Sequence, residues 1–511
     1  MLNRRFGVLL VLAVAPAFAA STNEWLTWGY DQERTGWNQA ENTIGKGNVS
    51  QLELKWKAQL PTASSEVVLS TMTAPLVAIV NTPQGPRTRV FVVGSDNTVY
   101  SIDAETGKVG WQRRFPNTLT PKQAATWLCS NTQNATPVID KESGTIYVST
   151  SDGKLRGLSI VDGEDRMPPA DFTTPFARNW SLNLIDGVIY SSTARGCGVS
   201  LAHFTAMDVK DPSRRMVEHY VSSGRPGGAW GRGGVVRGPK GIYTQTADGP
   251  YDPASGFFGN TVMSFNFKDL RLLDTFTPQN WELLNAKDQD LGSANPLIFP
   301  FQSWTLVASA AKESVISLLD ANKLGGDDHH TPLYHSPRWG NDEYLLAGRG
   351  LWGGMATWQD AQGKRWLIMP LWGPPSKDAP KFQYTYGSAE RGSVMAFEVR
   401  LDPDTKKPTL IPTWMSRDMQ VPDPPVVANG VVYALQTGEN TEQGRGATAK
   451  TRSTPVTNAV LYALDAETGK QLYSSEKLID SWTHFSEPVV AGGQVYVSTW
   501  DGRLYAFGLK K

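Results

Sequence analysis

The sequence predicts an all-β fold, an eight-bladed β-propeller of four-stranded antiparallel blades closed by a strand from the N-terminal end. Three observations predict it: a strand–turn–strand pattern that recurs along the chain, a composition rich in turn residues, and a last repeat that stops one strand short. Residues 90–112 read VFVVGSDNTVYSIDAETGKVGWQ, and residues 146–160 read IYVSTSDGKLRGLSI. Residues 460–473 read VLYALDAETGKQLY, and residues 495–507 read VYVSTWDGRLYAF. Apolar residues alternate on either side of a polar turn, which is the signature of a half-buried hairpin.

Weaker copies fill the intervals. They lie at 188–193 with 204–209, 241–249 with 261–267, 306–320, 366–373 with 393–399, and 431–439. Many copies follow a Pro-hydrophobic strand, as in APLVAI at 74–79, TPVID at 136–140, ANPLIF at 294–299, PPVVA at 424–428 and EPVVA at 487–491. The count is eight. Four short strands cannot hide their own apolar faces, but sheets packed radially cover one another. The eighth unit ends at Phe507 without an outer strand, and LELKWKAQL at 52–60 has the form to supply it. Trp56 and Trp111 fall at the start of outer strands, where a large ring wedges between adjacent sheets. Tyr473 holds the equivalent place in the seventh unit. The stretches near 161–180, 210–238, 268–293, 321–350 and 374–392 read as loops, where binding usually resides.

Composition agrees. Forty-eight Gly and 33 Pro punctuate a chain of 511 residues with 18 Trp, which favours short strands over long helices. Hydrophobic residues at 40% supply a large core, which excludes wholesale disorder. Lys+Arg and Asp+Glu balance at 49 each, so no global charge directs the chain to nucleic acid. Residues 1–20 read as a signal peptide: Asn3-Arg4-Arg5, an apolar run from Phe6 to Ala15, and a cleavage site at Ala17-Phe18-Ala19. No later segment is long and apolar enough to cross a bilayer. Residues 21–511 are then expected as one exported propeller domain, periplasmic or secreted.

The two cysteines, Cys129 and Cys197, are either a free pair or a bridge, and export permits a bridge. They hold similar places in successive units, so a Cys129–Cys197 disulfide joining neighbouring blades is expected. His329, His330 and His335 share a stretch with Asp327 and Asp328, a pattern that a transition metal or a polar surface loop explains.

The segment DAETGKVGW at 103–111 resembles the repeat of the pyrroloquinoline quinone (PQQ) dehydrogenases, which are eight-bladed propellers. The stretches at 25–57, 275–299 and 312–326 are also similar to segments of that superfamily. The resemblance implies PQQ and a Ca²⁺ ion on the propeller axis. Between an adjacent Cys pair and a Trp floor, PQQ would oxidise an alcohol or related small molecule. Ca²⁺ takes oxygen ligands and polarises a carbonyl, and a carboxylate removes the alcohol proton.

Residue by residue, the resemblance implies Asp290 as the catalytic base, Lys312 as a cofactor-binding residue and Asp248 as a metal ligand. Cys129 falls at the cofactor-binding Cys pair, but its neighbour is Ser130, so that vicinal bridge is lost. Gly196 and Cys197 stand where the family has a metal-binding Glu, and Met72 stands where it has another acidic residue, with Glu66 too far upstream to align. Turn formation by Asp248, capping by Asp288 and Asp290, and a solvated hairpin end for Lys312 are the plain structural alternatives. Propellers of the outer-membrane assembly scaffold type share similar repeats without a cofactor. A non-catalytic propeller that holds a protein or polymer is therefore the competing expectation.

Overall fold

The computed structural model describes residues 23–62, 70–126, 128–194, 196–221, 227–346, 348–440 and 453–510. The leader and Glu66 lie outside these residues. Eight antiparallel sheets follow one another along the chain. Blades 1 to 4 span 76–114, 138–171, 178–220 and 236–276. Blades 5 to 7 span 297–335, 356–415 and 426–474. Blade 8 takes three strands from 489–509 and its outer strand from Leu52–Gln59. Leu52 faces Leu509 and Gln59 faces Arg503, so the two ends of the chain zip into one sheet as expected. Without this closure Arg503–Leu509 would be the outer edge of blade 8.

The predicted tryptophan wedges are present. Trp56, on the outer strand of blade 8, lies over Gly107 of blade 1, and its Nε1 donates to Ala104 O at 2.9 Å. Trp111 of blade 1 repeats the arrangement on Gly163 and Ile160 O of blade 2, at 3.3 Å. Trp414 of blade 6 repeats it on Gly469 and Ala466 O of blade 7, at 3.0 Å. A Cβ on Gly107 would come within 2.7 Å of the Trp56 ring, so the glycine of the turn is required by the ring of the preceding blade. Tyr473 is half-buried against the same core as Trp56 and Trp111.

Several expected loops contain strands. Asp165–Asp171, Met216–Tyr220, Leu272–Phe276, Tyr334–His335 and Tyr384–Thr385 are peripheral strands of their sheets. Most of their residues are exposed or part-exposed on both faces, so no apolar alternation marks them. The stretch 268–293 also carries the α-helix Trp281–Lys287.

The segment before the closing strand runs across the axis. Trp25 exchanges backbone hydrogen bonds with Val77 of blade 1, and Leu26 O accepts from Ile139 N of blade 2. Gln32 O accepts from Arg237 N of blade 4, Thr35 O from Thr357 N of blade 6, and Gly36 O from Val427 N of blade 7. Asn38 Nδ2 donates to Val490 O of blade 8 at 2.7 Å. Arg34, fully buried, gives Nε to Gly233 O and Nη2 to Leu182 O, at 3.1 and 3.0 Å. One stretch of chain thus ties the inner strands of most blades together at the centre.

Cys129 and Cys197 form the expected disulfide, with Cα atoms 5.2 Å apart and a separation of 68 positions in sequence. It joins the segment leading into blade 2 to the loop after Val188–Ala194 of blade 3. A loop of that length implies about 4 kcal/mol from denatured-state entropy. Denaturant unfolding with and without reductant should show a loss of that size, and Cys197→Ser should reproduce it under both conditions.

Candidate functional site

Blades 4 and 5 bring three sequence-selected residues together. Asp248 follows the strand Gly241–Gln245, Asp290 precedes Leu297–Phe301, and Lys312 follows Trp304–Ser309. Lys312 is buried, and its Nζ lies 2.5 Å from Asp290 Oδ2. The same Nζ lies 3.0 Å from Asp288 Oδ1 and donates at 3.0 Å to the Asp288 carbonyl. All three ammonium protons therefore have acceptors. Asp290 Oδ1 accepts the Asp248 backbone N–H at 3.1 Å, and Asn260 Nδ2 donates to Asp248 Oδ1 at 2.9 Å. Asn260 Oδ1 in turn accepts the Leu291 N–H at 2.8 Å, which fixes the Asp290 turn against blade 4.

The plain alternatives fail for two of the residues. Asp290 precedes the short 3₁₀ turn Leu291–Ser293 yet makes no side-chain cap, because its carboxylate is turned to Lys312. Lys312 is 2% exposed, so it is not a solvated hairpin end. Asp288 ends the helix Trp281–Lys287 with φ at 56°, and that left-handed turn aims its carboxylate back at Lys312. The histidines do not converge. His330 Nδ1 meets Thr277 O, His335 Nδ1 meets Ser317 Oγ, and exposed His329 lies beside Asp274.

Charge is unbalanced at this point. Carboxylate oxygens of Asp248, Asp288 and Asp290 lie within 4.8 Å of one another around one lysine. Burial first, and the Asp290 charge second, push the Asp248 carboxyl up to about 8. Burial also raises Asp288, against the pull of Lys312. An oxygen-only donor set with excess negative charge is the chemistry that a hard cation such as Ca²⁺ uses. Asp288 brings the number of carboxylates to three, although position 196 has none.

A wall of tryptophans completes the site. Lys312 Nζ lies 5.5 Å from the Trp230 ring centroid and 5.1 Å from that of Trp352. Trp230 meets Trp352 edge-on at 5.1 Å, and Trp352 stacks on Trp372 at 4.7 Å and 2°. An ammonium against aromatic faces is held electrostatically as well as by its anions. No sequence pattern used above selects these rings, yet a signal exists. Each precedes a glycine: Gly231, Gly353 and Gly373. A Cβ on Gly231 would lie 2.2 Å from the Ala294 backbone, so the chain must pass that close to hold Trp230 in place.

Beyond the tryptophans lies a second buried polar group. Arg232 Nη1 pairs with Asp423 Oδ1 at 2.5 Å, and its guanidinium sits 4.0 Å from the Phe485 centroid. Burial pushes Glu487, nearby, up to about 8 from an ordinary 4.5. The sign follows from linkage. Folding favours the protonated acid, so this contribution is complete below about pH 4.5 and is lost as the pH rises through about 8. Glu487→Gln should therefore unfold at the same denaturant concentration as the parent at pH 4.5, and at a higher one at pH 8.5.

The comparisons with known proteins agree with this architecture. A family model described as outer membrane protein assembly factor BamB matches residues 39–189 and 424–511. Solved structures extend the likeness over nearly the whole chain. The likeness is that of an eight-bladed propeller, and over residues 39–189 and 424–511 it is to that family's repeats. The quinohemoprotein alcohol dehydrogenase ADHIIG from Pseudomonas putida HK5 superposes with a TM-score of 0.60 at 14% identity, over 95% of this chain and 80% of that one. The quinohemoprotein alcohol dehydrogenase from Comamonas testosteroni gives 0.59 at 14% identity, over 96% and 81%. A europium-containing methanol dehydrogenase gives 0.61 at 14% identity, over 95% and 98%. At such identity the likeness is one of fold. No curated protein matches by sequence. The two stretches matched by the family model do not include Asp248, Asp288, Asp290, Lys312 or the tryptophan wall. No helix among the described residues is long and apolar enough to cross a membrane.

Proposed function

We propose that this protein is a quinoprotein-type oxidoreductase, acting after export on an alcohol or related small molecule. The observation that carries the reading is the convergence of Asp248, Asp288, Asp290 and Lys312 against Trp230 and Trp352. The three carboxylates suit Ca²⁺ or a lanthanide, and the flat rings with the Lys312 charge suit a planar anionic quinone. Bound there, PQQ would supply a two-electron acceptor and the cation a Lewis acid.

The chain's own residues have distinct tasks. Asp290 is the proton acceptor for the substrate hydroxyl, because its carboxylate is buried and both its oxygens are oriented, one by the Asp248 N–H and one by Lys312. Lys312 places an ammonium 2.5 Å from Asp290 Oδ2 and fixes that oxygen. Asp248, whose carboxyl burial and the Asp290 charge push up to about 8, becomes a ligand when a cation displaces its proton. Asp288 takes the place of the carboxylate missing at Gly196–Cys197. Cys129 differs from the resemblance: its sulfur is committed to Cys197 across two blades, so it is not half of a vicinal lid.

A dye-linked assay on protein loaded with PQQ and Ca²⁺ tests the reading. Turnover of a primary alcohol should fall at least a hundredfold in Asp290→Asn. Turnover that survives this change, or none in the loaded parent, would overturn it. The family-model match favours a second reading, a non-catalytic propeller that holds a protein or polymer. In that case neither PQQ nor Ca²⁺ changes any property of the protein.

A further inference from the structure

A cavity of about 500 Å³ lies between the axial segment and the innermost strands of blades 2 and 3. Asp140 and Asp186 stand where the strands Val138–Asp140 and Asn183–Ile185 end, whereas Asp290 stands where the innermost strand of blade 5 begins. The cavity therefore opens on the face of the ring opposite the acid–lysine centre. Its wall carries five carboxylates, from Asp31, Glu33, Asp140, Glu142 and Asp186, and two lysines, Lys141 and Lys210. Lys141 is held by Glu24 at 2.7 Å, and Asp186 lies 3.7 Å from Arg237. Arg34, buried behind the wall, gives Nη1 to the Asp31 carbonyl at 3.4 Å. With every one of these partners counted, six carboxylates stand against four cations. Burial first, and the Glu33 charge second, push the Asp31 carboxyl up to about 7. Negative charge stays in excess even with Asp31 half protonated.

Two further features narrow the ligand. Asn183, 0% exposed, stands in the cavity wall, and its Nδ2 donates at 3.0 Å to both Gln32 O and Val235 O. Both amide protons are thereby used, and Oδ1 has no donor among the described residues. An unpaired buried acceptor is costly, so a ligand with an N–H gains there. The carboxylates are too far apart for a metal ion. Among the described residues, only Asp248, Asp288 and Asp290 bring three ligand atoms within 4.8 Å of one another. The rest of the wall is apolar, with half-buried Leu26 and Leu184 beside buried Val138 and Ile139. Acids spread around an apolar floor, in a volume usual for small ligands, fit a charge carried on a hydrocarbon stem. We propose that this cavity binds one organic cation, an ammonium or guanidinium on a short alkyl chain. The chain lies on Leu26 and Leu184, the charge among Glu33, Asp140 and Glu142, with an N–H for Asn183 Oδ1. The source is a free amine or the side chain of a lysine or arginine. The proposal does not rest on the quinone reading, because its residues are separate from the acid–lysine centre.

Thermal unfolding at constant ionic strength tests it, with sodium chloride replaced stepwise by the chloride of cadaverine, agmatine or N-acetyl-arginine methylamide. Sodium pentanoate supplies the chain without the positive charge, and tetramethylammonium chloride the charge without a chain or an N–H. The expected result is a saturable rise in Tm with at least one of the three cations and with neither control. Its midpoint should move at least threefold upward in Glu33→Gln and in Glu142→Gln, and threefold downward in Lys210→Glu, which adds to the negative charge. A response to cadaverine or agmatine alone assigns the site to a free amine. A response to the arginine derivative assigns it to a protein side chain. No saturable rise with any of the three, an equal rise with tetramethylammonium, or a midpoint unmoved in all three variants overturns the proposal. Should the variants not fold, crystals of the parent protein soaked in agmatine decide. Agmatine between Leu184 and Glu33 supports the site, and water alone there overturns it.

Discussion

Lys312→Met is expected to destabilise the protein by about 3–5 kcal/mol at pH 7, the cost of leaving buried charge without its partner. The methionine keeps the length of the side chain against Trp230 and Trp352 and removes only the ammonium. Asp290 then loses its 2.5 Å partner and Asp288 its 3.0 Å partner, inside a group that already holds three carboxylates. The deficit should shrink as the pH falls, because Asp248 and Asp288 are already displaced toward protonation and take up protons further. It should also shrink with millimolar Ca²⁺, which replaces the missing charge. Urea unfolding at pH 7 and pH 5, with and without Ca²⁺, measures all three. An equal deficit under every condition would mean that packing, not charge, is the role of Lys312.

A larger loss is expected when the ring is opened. Replacing residues 52–60 with a Gly-Ser linker of equal length removes the outer strand of blade 8 while the axial segment stays attached. Strand Arg503–Leu509 then presents a row of unpaired backbone groups, and the Trp56 ring leaves Gly107 and Ala104 of blade 1. Loss of the tryptophan alone costs about 3–5 kcal/mol, and the open edge invites pairing between molecules. Size-exclusion chromatography should show aggregates, and the thermal transition should broaden. A synthetic peptide of residues 49–62 should restore a monomer if the strand acts through pairing.

The repeat was legible because the inner strands, buried on both faces, are short apolar runs set off by polar turns such as Asp152-Gly153 and Asp501-Gly502. Peripheral strands such as Met216–Tyr220 were not, since a half-wet strand can carry Glu218 and His219 as readily as apolar residues. The wedge was visible at Trp111, which directly follows the Asp-Ala-Glu-Thr-Gly-Lys turn, and at Trp56 in the closing strand. It was missed at Trp414, which follows no such turn but reaches the next blade as those two rings do. Asp248, Asp290 and Lys312 were found through resemblance, but their partners were not. Asp288 reaches Lys312 only because a left-handed residue ends its helix, and Asn260 reaches Asp248 across a hairpin. Such contacts are set by tertiary geometry, and no spacing rule encodes them. The axial course of residues 25–38 was likewise hidden, because its hydrogen bonds go to strands more than 50 residues distant.

The central claim is that the acid–lysine centre and its tryptophan wall form a quinone and cation site. The most direct measurement is an absorbance titration of the purified protein with PQQ at fixed Ca²⁺, repeated after chelation and in Asp248→Asn. The account predicts a saturable change at one equivalent that requires Ca²⁺ and weakens at least tenfold in Asp248→Asn. A spectrum identical to free PQQ at every ratio, with Ca²⁺ present, would contradict it.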